Sequence, residues 1–175
     1  MIIDVVMYGS ASRGKQNPRD VDILIIFNDS VSKNDYFNKP YELRKILEKH
    51  DNIKFDVKGI RISEIFEKKF NASISIFTEG YSLIKKEYIG KYLGGNNYSL
   101  FVYSLKNLNN SEKTMFQYAL NGRRNSTGII KELNGSHISS GSILIPIQNS
   151  EIFKVFLERW KINYDEWKNL MMRAY

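Results

Sequence analysis

Residues 5–27 read VVMYGSASRGKQNPRDVDILIIF. The β-branched, apolar run that starts at Ile2 and stops at Gly9 predicts a buried strand over residues 2–8. Residues 9–19, GSASRGKQNPR, are small, polar and basic, and predict a loop with at most one helical turn. Residues 20–27, DVDILIIF, predict a second strand, charged where it begins and apolar where it ends, closed by Asn28-Asp29-Ser30.

Side chains alternate along a strand, so Asp20 and Asp22 share a face. Two carboxylates at this spacing repel each other unless a cation lies between them. Oxygen-only ligands suit Mg²⁺ or Mn²⁺ and do not suit zinc. In the preceding loop Gly9 permits close backbone approach, and Ser10 offers a hydroxyl and an N–H to a phosphate oxygen. Arg13, Lys15 and Arg19 supply positive charge in the same loop, although loop solubility explains them equally well. Nucleotidyl transfer needs metals on a triphosphate and donors for the leaving pyrophosphate. Two metals roughly 3.5–4 Å apart demand a third carboxylate from another element.

Residues 53–60, IKFDVKGI, alternate in polarity and predict a half-buried strand whose polar face carries Asp56, the candidate for that third carboxylate. Asp51 is the poorer alternative because it falls in a turn. Between the two strands, residues 40–49 predict an amphipathic helix with Pro40 in its first turn. Ser63 opens a further short helix. This order predicts an α/β or α+β layer on a mixed sheet.

The combination of Gly9-Ser10, Gly14 and Asp20-x-Asp22 heading an apolar strand resembles the signature of the DNA polymerase beta nucleotidyltransferase superfamily, and most closely its minimal, stand-alone members. The resemblance covers roughly residues 5–60. It implies that Gly9 and Ser10 hold nucleotide phosphates, that Asp20 and Asp22 bind two divalent ions, and that Asp56 completes the metal site and helps activate the nucleophile. It implies a nucleoside triphosphate (NTP) donor. Arg19 stands where the family often has Ser.

Residues 71–93 read as helix or strand around a break at Gly80. Beyond them the pattern predicts a strand over 98–105, a helix capped by Ser111, a basic loop over 123–128, a short helical piece, a strand (SILIPI) and an amphipathic helix (SEIFKVFLERW). The expected organisation is a nucleotidyltransferase core over residues 1–72. A C-terminal α+β module over 73–175, loosely like a winged helix, packs on it. Tyr98, Phe101, Tyr103, Phe116 and Tyr118 are spaced for core packing more than for base stacking. Arg123 and Arg124 are candidates for nucleic-acid phosphates, with a solvated loop as the plain alternative.

The 175 residues carry 26 Lys+Arg against 19 Asp+Glu, a net charge of +7 that suits polyanionic partners. The absence of cysteine excludes disulfides and thiolate metal sites and is compatible with a cytoplasmic setting. The opening MIIDVVMYGS has no basic n-region and is not expected to be a signal peptide, and no apolar run suggests a membrane span. The expected activity is metal-dependent transfer of a nucleoside monophosphate to a hydroxyl, with a nucleic-acid 3′ end favoured as acceptor. A protein-AMPylating antitoxin paired with a partner toxin, or a non-catalytic nucleic-acid-binding module, are the alternatives. A homodimer is compatible with the sequence.

Overall fold

In a computed structural model, residues 1–50, 52–67, 70–124 and 126–173 are described, so Asp51 lies outside the described residues. The chain divides into two compact units, Met1–Gly95 and Asn96–Tyr175. The division expected after residue 72 falls later because residues 81–82 still pair with the first strand.

The first unit holds β1 (Ile2–Tyr8), β2 (Asp20–Phe27), α1 (Lys33–His50) and β3 (Lys54–Arg61). A 3-10 turn (Ser63–Phe66), α2 (Ser73–Glu79), β4 (Tyr81–Ser82), β5 (Glu87–Tyr88) and α3 (Ile89–Tyr92) follow. The sheet order is β3-β2-β1-β4-β5. β2 and β3 are parallel, joined through α1, while the pairs β1/β2, β1/β4 and β4/β5 are antiparallel. The mixed sheet follows from this: a parallel pair needs a long crossover, and the 18 residues of α1 supply it.

α1 begins earlier than the sequence pattern suggested, so Pro40 sits about two turns inside it. The Ser32 hydroxyl accepts from the Asp35 amide and donates to the Asp35 carboxylate, both at 3.0 Å, which starts the helix at Lys33. Pro40 costs one helical hydrogen bond but is buried against the sheet, over Gly59, where a Cβ would lie 3.1 Å from the Pro40 ring.

The two faces of the sheet differ. Ile25, Phe27 and Val57 pack with Val31, Tyr36 and Leu43 on the α1 side. Val6, Leu24, Ile26 and Ile60 pack with Ile65 and Ile76 on the other. Asp4 reads in the sequence as a strand-edge residue. It is 5% exposed, and its carboxylate accepts from the Val5 amide and the Ser82 hydroxyl, each at 2.7 Å.

The second unit holds β6 (Gly95–Ser104), α4 (Asn110–Asn121), β7 (Gly122–Arg123), β8 (Ser126–Thr127), α5 (Ile129–Glu132) and β9 (Ser136–Ser139). β10 (Ser142–Pro146), a 3-10 turn, α6 (Ser150–Arg159) and β11 (Asn163–Arg173) complete it. Its sheet order is β11-β6-β10-β9, and β7 and β8 form a separate hairpin. Phe101, Phe116, Leu120, Ile143, Ile145, Phe153 and Leu157 form its core. Rings of Phe101 and Phe153 meet edge-on at 5.0 Å, and Trp160 meets Phe116 at 5.6 Å. Tyr118 is instead an exposed residue of α4.

α4 starts one residue before Ser111, with Asn109 as its cap: Asn109 Oδ1 accepts from the Glu112 amide (2.9 Å) and the Glu112 carboxylate accepts from the Asn109 amide (2.8 Å). Asn109→Ala is expected to cost about 1 kcal/mol. Both tryptophans, Trp160 and Trp167, belong to this unit, so a urea titration followed by tryptophan fluorescence isolates its transition.

Among the described residues, no helix is long and apolar enough to cross a membrane.

Candidate active site

The candidate site forms where the apolar cover of one sheet face ends. Along β2 the exposure changes from open at Asp20, through half-buried Asp22, to fully buried from Ile23 onward. Register places the polar residues side by side: Tyr8 pairs with Asp22, Asp22 with Asp56, and Asp20 with Lys54. Paired residues of neighbouring strands share a face, so Asp20, Asp22 and Asp56 project together, with Tyr8 beside them.

Gly9 follows directly. Its φ is +76°, and a Cβ built on it would lie 2.5 Å from Asp22 Oδ2. Glycine is therefore required twice here, by the left-handed backbone and by the carboxylate packed against it. Gly9→Ala is expected to cost about 1–2 kcal/mol from the backbone alone and to push the Asp22 carboxylate aside. Thermal unfolding by circular dichroism, with Gly14→Ala (φ +88°) as a comparison for the backbone strain, separates strain from the contact.

The loop after Gly9 closes on itself. The Ser12 hydroxyl donates to the Gly9 carbonyl (2.8 Å), the Gly14 amide to Ala11 (3.1 Å), and the Lys15 amide to Ser10 (3.1 Å). Ser10 is half-buried at the start of this turn, and Lys15 and Arg19 are exposed. Arg13 is not turned to solvent. Its Nη1 lies 2.5 Å from Glu79 Oε2, with the two side chains 12% and 5% exposed.

The electrostatics agree with the register. The Asp22 pKa is raised above the ordinary aspartate value, by burial first, then by the Asp20 and Asp56 carboxylates, with Lys58 opposing and Glu79 adding to the rise. Burial and the Asp22 charge likewise raise the Tyr8 hydroxyl. Asp56 is engaged by Lys58, whose Nζ lies 2.7 Å from Asp56 Oδ2. That hydrogen bond is the main reason the lysine's pKa is raised.

Among the described residues, no three acidic or histidine side chains converge tightly enough to enclose an ion as they stand. The donor chemistry nevertheless fits a hard divalent cation. Three oxygen ligands share one patch, and the unfavourable Asp20 and Asp56 contributions at Asp22 are what a cation would relieve.

Of the sequence candidates, the first unit brings Gly9, Ser10, Asp20, Asp22 and Asp56 to one corner of the sheet. It leaves Lys15 and Arg19 on the open side of the loop and ties Arg13 to Glu79. Arg123 and Arg124 belong to the second unit, on the β7–β8 hairpin, where the Arg123 guanidinium lies 4.6 Å over the Tyr118 ring. Sequence reasoning missed Tyr8, Lys58 and Glu79. Lys58 was legible as the residue two positions after Asp56 on the same face. Glu79 was not, because nothing local ties it to residue 13.

Residues 2–84 match the family model described as "Nucleotidyltransferase domain". No curated protein and no solved structure matches the chain. The Gly-Ser turn, the adjoining Asp-x-Asp strand and the parallel neighbour carrying Asp56 all fall inside that matched stretch, and residues 2–84 accordingly match a nucleotidyltransferase domain, consistent with the DNA polymerase beta-like superfamily.

Proposed function

We propose that this chain transfers a nucleoside monophosphate from an NTP to a hydroxyl acceptor and releases pyrophosphate. The observation that carries the reading is the row Tyr8–Asp22–Asp56 across three strands, with Asp20 on the same face and Gly9 seated against Asp22.

In this reading Ser10 and the backbone of the Gly9 turn hold the phosphates, and Lys15 and Arg19 screen their charge. Asp20, Asp22 and Asp56 would hold one or two Mg²⁺ or Mn²⁺ ions. Bound there, the ions supply Lewis-acid neutralisation of the triphosphate and lower the pKa of an oxygen ligand. In this reading Asp56, half-exposed at the end of the row, takes the acceptor hydroxyl's proton once Lys58 releases it. The acceptor oxygen forms a bond to the α-phosphorus. The bond to the bridging oxygen breaks, and pyrophosphate leaves with that electron pair. A nucleic-acid 3′ end is the favoured acceptor, supported by the net charge of +7 and by the exposed arginines of the β7–β8 hairpin.

The test is transfer of α-³²P label from each of the four NTPs, with Mg²⁺ or Mn²⁺, to oligonucleotide, protein and small-molecule hydroxyls. Label should appear on an acceptor, fail to appear with EDTA, and disappear with Asp20→Ala plus Asp22→Ala. Transfer that survives the double substitution refutes the assignment.

A further inference from the structure

The segment from Glu79 to Tyr88 grips the Gly9–Gly14 loop at two consecutive residues. Glu79, the last residue of α2, holds the Arg13 guanidinium at 2.5 Å in a nearly buried pair. One residue earlier in the loop, the Ser12 carbonyl accepts a hydrogen bond of 2.5 Å from the Tyr88 hydroxyl, and Ser12 is itself 2% exposed. Burial, reinforced by Tyr81, pushes the Tyr88 hydroxyl pKa up to about 12, so it remains a donor at physiological pH.

The gripping segment is anchored in turn. Tyr81 and Ser82 pair with Met7 and Val6, the Leu83 amide donates to the Val5 carbonyl at 2.8 Å, and the Ser82 hydroxyl donates to buried Asp4. The strand that delivers Gly9 and the strap that holds the loop after it are thus one hydrogen-bonded assembly. A loop of small residues with two left-handed glycines has many conformations open to it and needs outside contacts to keep one.

We propose that Glu79 and Tyr88 are positioning residues that hold the Gly9–Gly14 loop in its phosphate-binding conformation, with Arg13 serving as the loop's anchor in place of a phosphate ligand. This rests on the nucleotidyl-transfer reading above. The strap touches the loop through Arg13 and Ser12, so its effect falls on the phosphates. It weakens every NTP alike and also weakens inorganic tripolyphosphate, which has no base.

Tyr88→Phe removes one hydroxyl and leaves the ring in place. It is expected to weaken Mg²⁺-dependent binding of ATP, the other NTPs and tripolyphosphate by about fivefold, the equivalent of about 1 kcal/mol. In the ligand-free chain the Gly14 and Lys15 amides should exchange faster with deuterium, while the thermal midpoint falls by only about 4–8 °C and the first unit stays folded. In transfer assays the change should appear in KM and not in kcat. Glu79→Gln should weaken binding more, about tenfold, and where it lowers the yield of folded protein Tyr88→Phe decides alone. Unchanged binding and unchanged exchange in Tyr88→Phe overturn the inference, as does a loss confined to kcat. If the parent chain binds neither ATP nor tripolyphosphate with Mg²⁺, the reading of the site fails and the inference goes with it. If the parent binds and Tyr88→Phe matches it, the inference fails alone.

Discussion

Replacing Asp22 with Asn should reduce transfer by ~10³-fold or more while leaving the first unit folded. Asp22 is the middle member of the carboxylate row, between Tyr8 on β1 and Asp56 on β3. Asn keeps its shape and removes its charge. Neutralising a triphosphate through a ligated cation is worth several kcal/mol, and each 1.36 kcal/mol is a factor of ten in rate. The same substitution should change stability in the opposite sense. The Asp22 pKa is raised in the folded chain, by burial first and then by Asp20 and Asp56. A raised carboxyl binds its proton more tightly folded than unfolded. Its contribution is therefore full below the ordinary aspartate range and is lost as pH rises through the raised value. Without divalent cation, the parent's first unit should lose stability over that interval and Asp22→Asn should lose less. Denaturation followed by circular dichroism on both sides of the aspartate range, together with label transfer at neutral pH, checks the two halves. An Asn variant that retains near-parental transfer, or one that unfolds at neutral pH, is incompatible with this account.

Arg13→Ala should be far more damaging to stability than its position in a surface loop suggests. Truncation leaves the Glu79 carboxylate, 5% exposed, without its guanidinium. Leaving a buried charge uncompensated typically costs about 3–5 kcal/mol, a large part of the roughly 5–15 kcal/mol that holds a typical domain folded. A simultaneous change to apolar residues of similar volume, Arg13→Met with Glu79→Leu, should recover most of the loss, because removing both charges also removes their desolvation cost. Hydrogen exchange of the β1 and β2 amides, read separately from the tryptophan-reported second unit, measures this. Recovery in the double variant, with nucleotide binding still weak, would separate the pair's role in folding from its role in placing the loop. A fully tolerated Arg13→Ala would show that the ion pair is of little consequence to the fold.

The strands that build the site were legible because β1 and β2 are short, strongly apolar runs ended by a glycine or a polar cluster, and β3 alternates in polarity. That Asp20 and Asp22 share a face, and that Asp56 lies on the polar face of its own strand, follows from alternation alone. α1 was harder. Its amphipathic half was visible over residues 40–49, but its start required weighting the Ser32–Asp35 cap above the proline, and a buried proline packed over Gly59 is tolerated inside a helix. β11 escaped notice because NYDEWKNL is polar and carries no apolar alternation. It is a strand because Tyr164 packs against Phe101, and because Glu166 accepts from Ser99 (3.3 Å) and pairs with Lys154 (3.2 Å). Its strand signal is tertiary, as β propensity commonly is.

Sequence alone determined the chemistry on offer: an Asp-x-Asp strand after a Gly-Ser turn, a third aspartate one strand away, and no cysteine. Those features depend on residue type and short spacing, which local backbone geometry carries. Only the tertiary structure decided which charges face each other. Asp22 lies against Asp56 and Gly9 because β2 pairs with β3 and β1 in one register. Arg13, one of three interchangeable loop cations in the sequence, is set apart because α2 ends 66 residues later with a buried carboxylate at its side. Burial and long-range pairing fix the partner of a charge, and neither is written in the residues next to it.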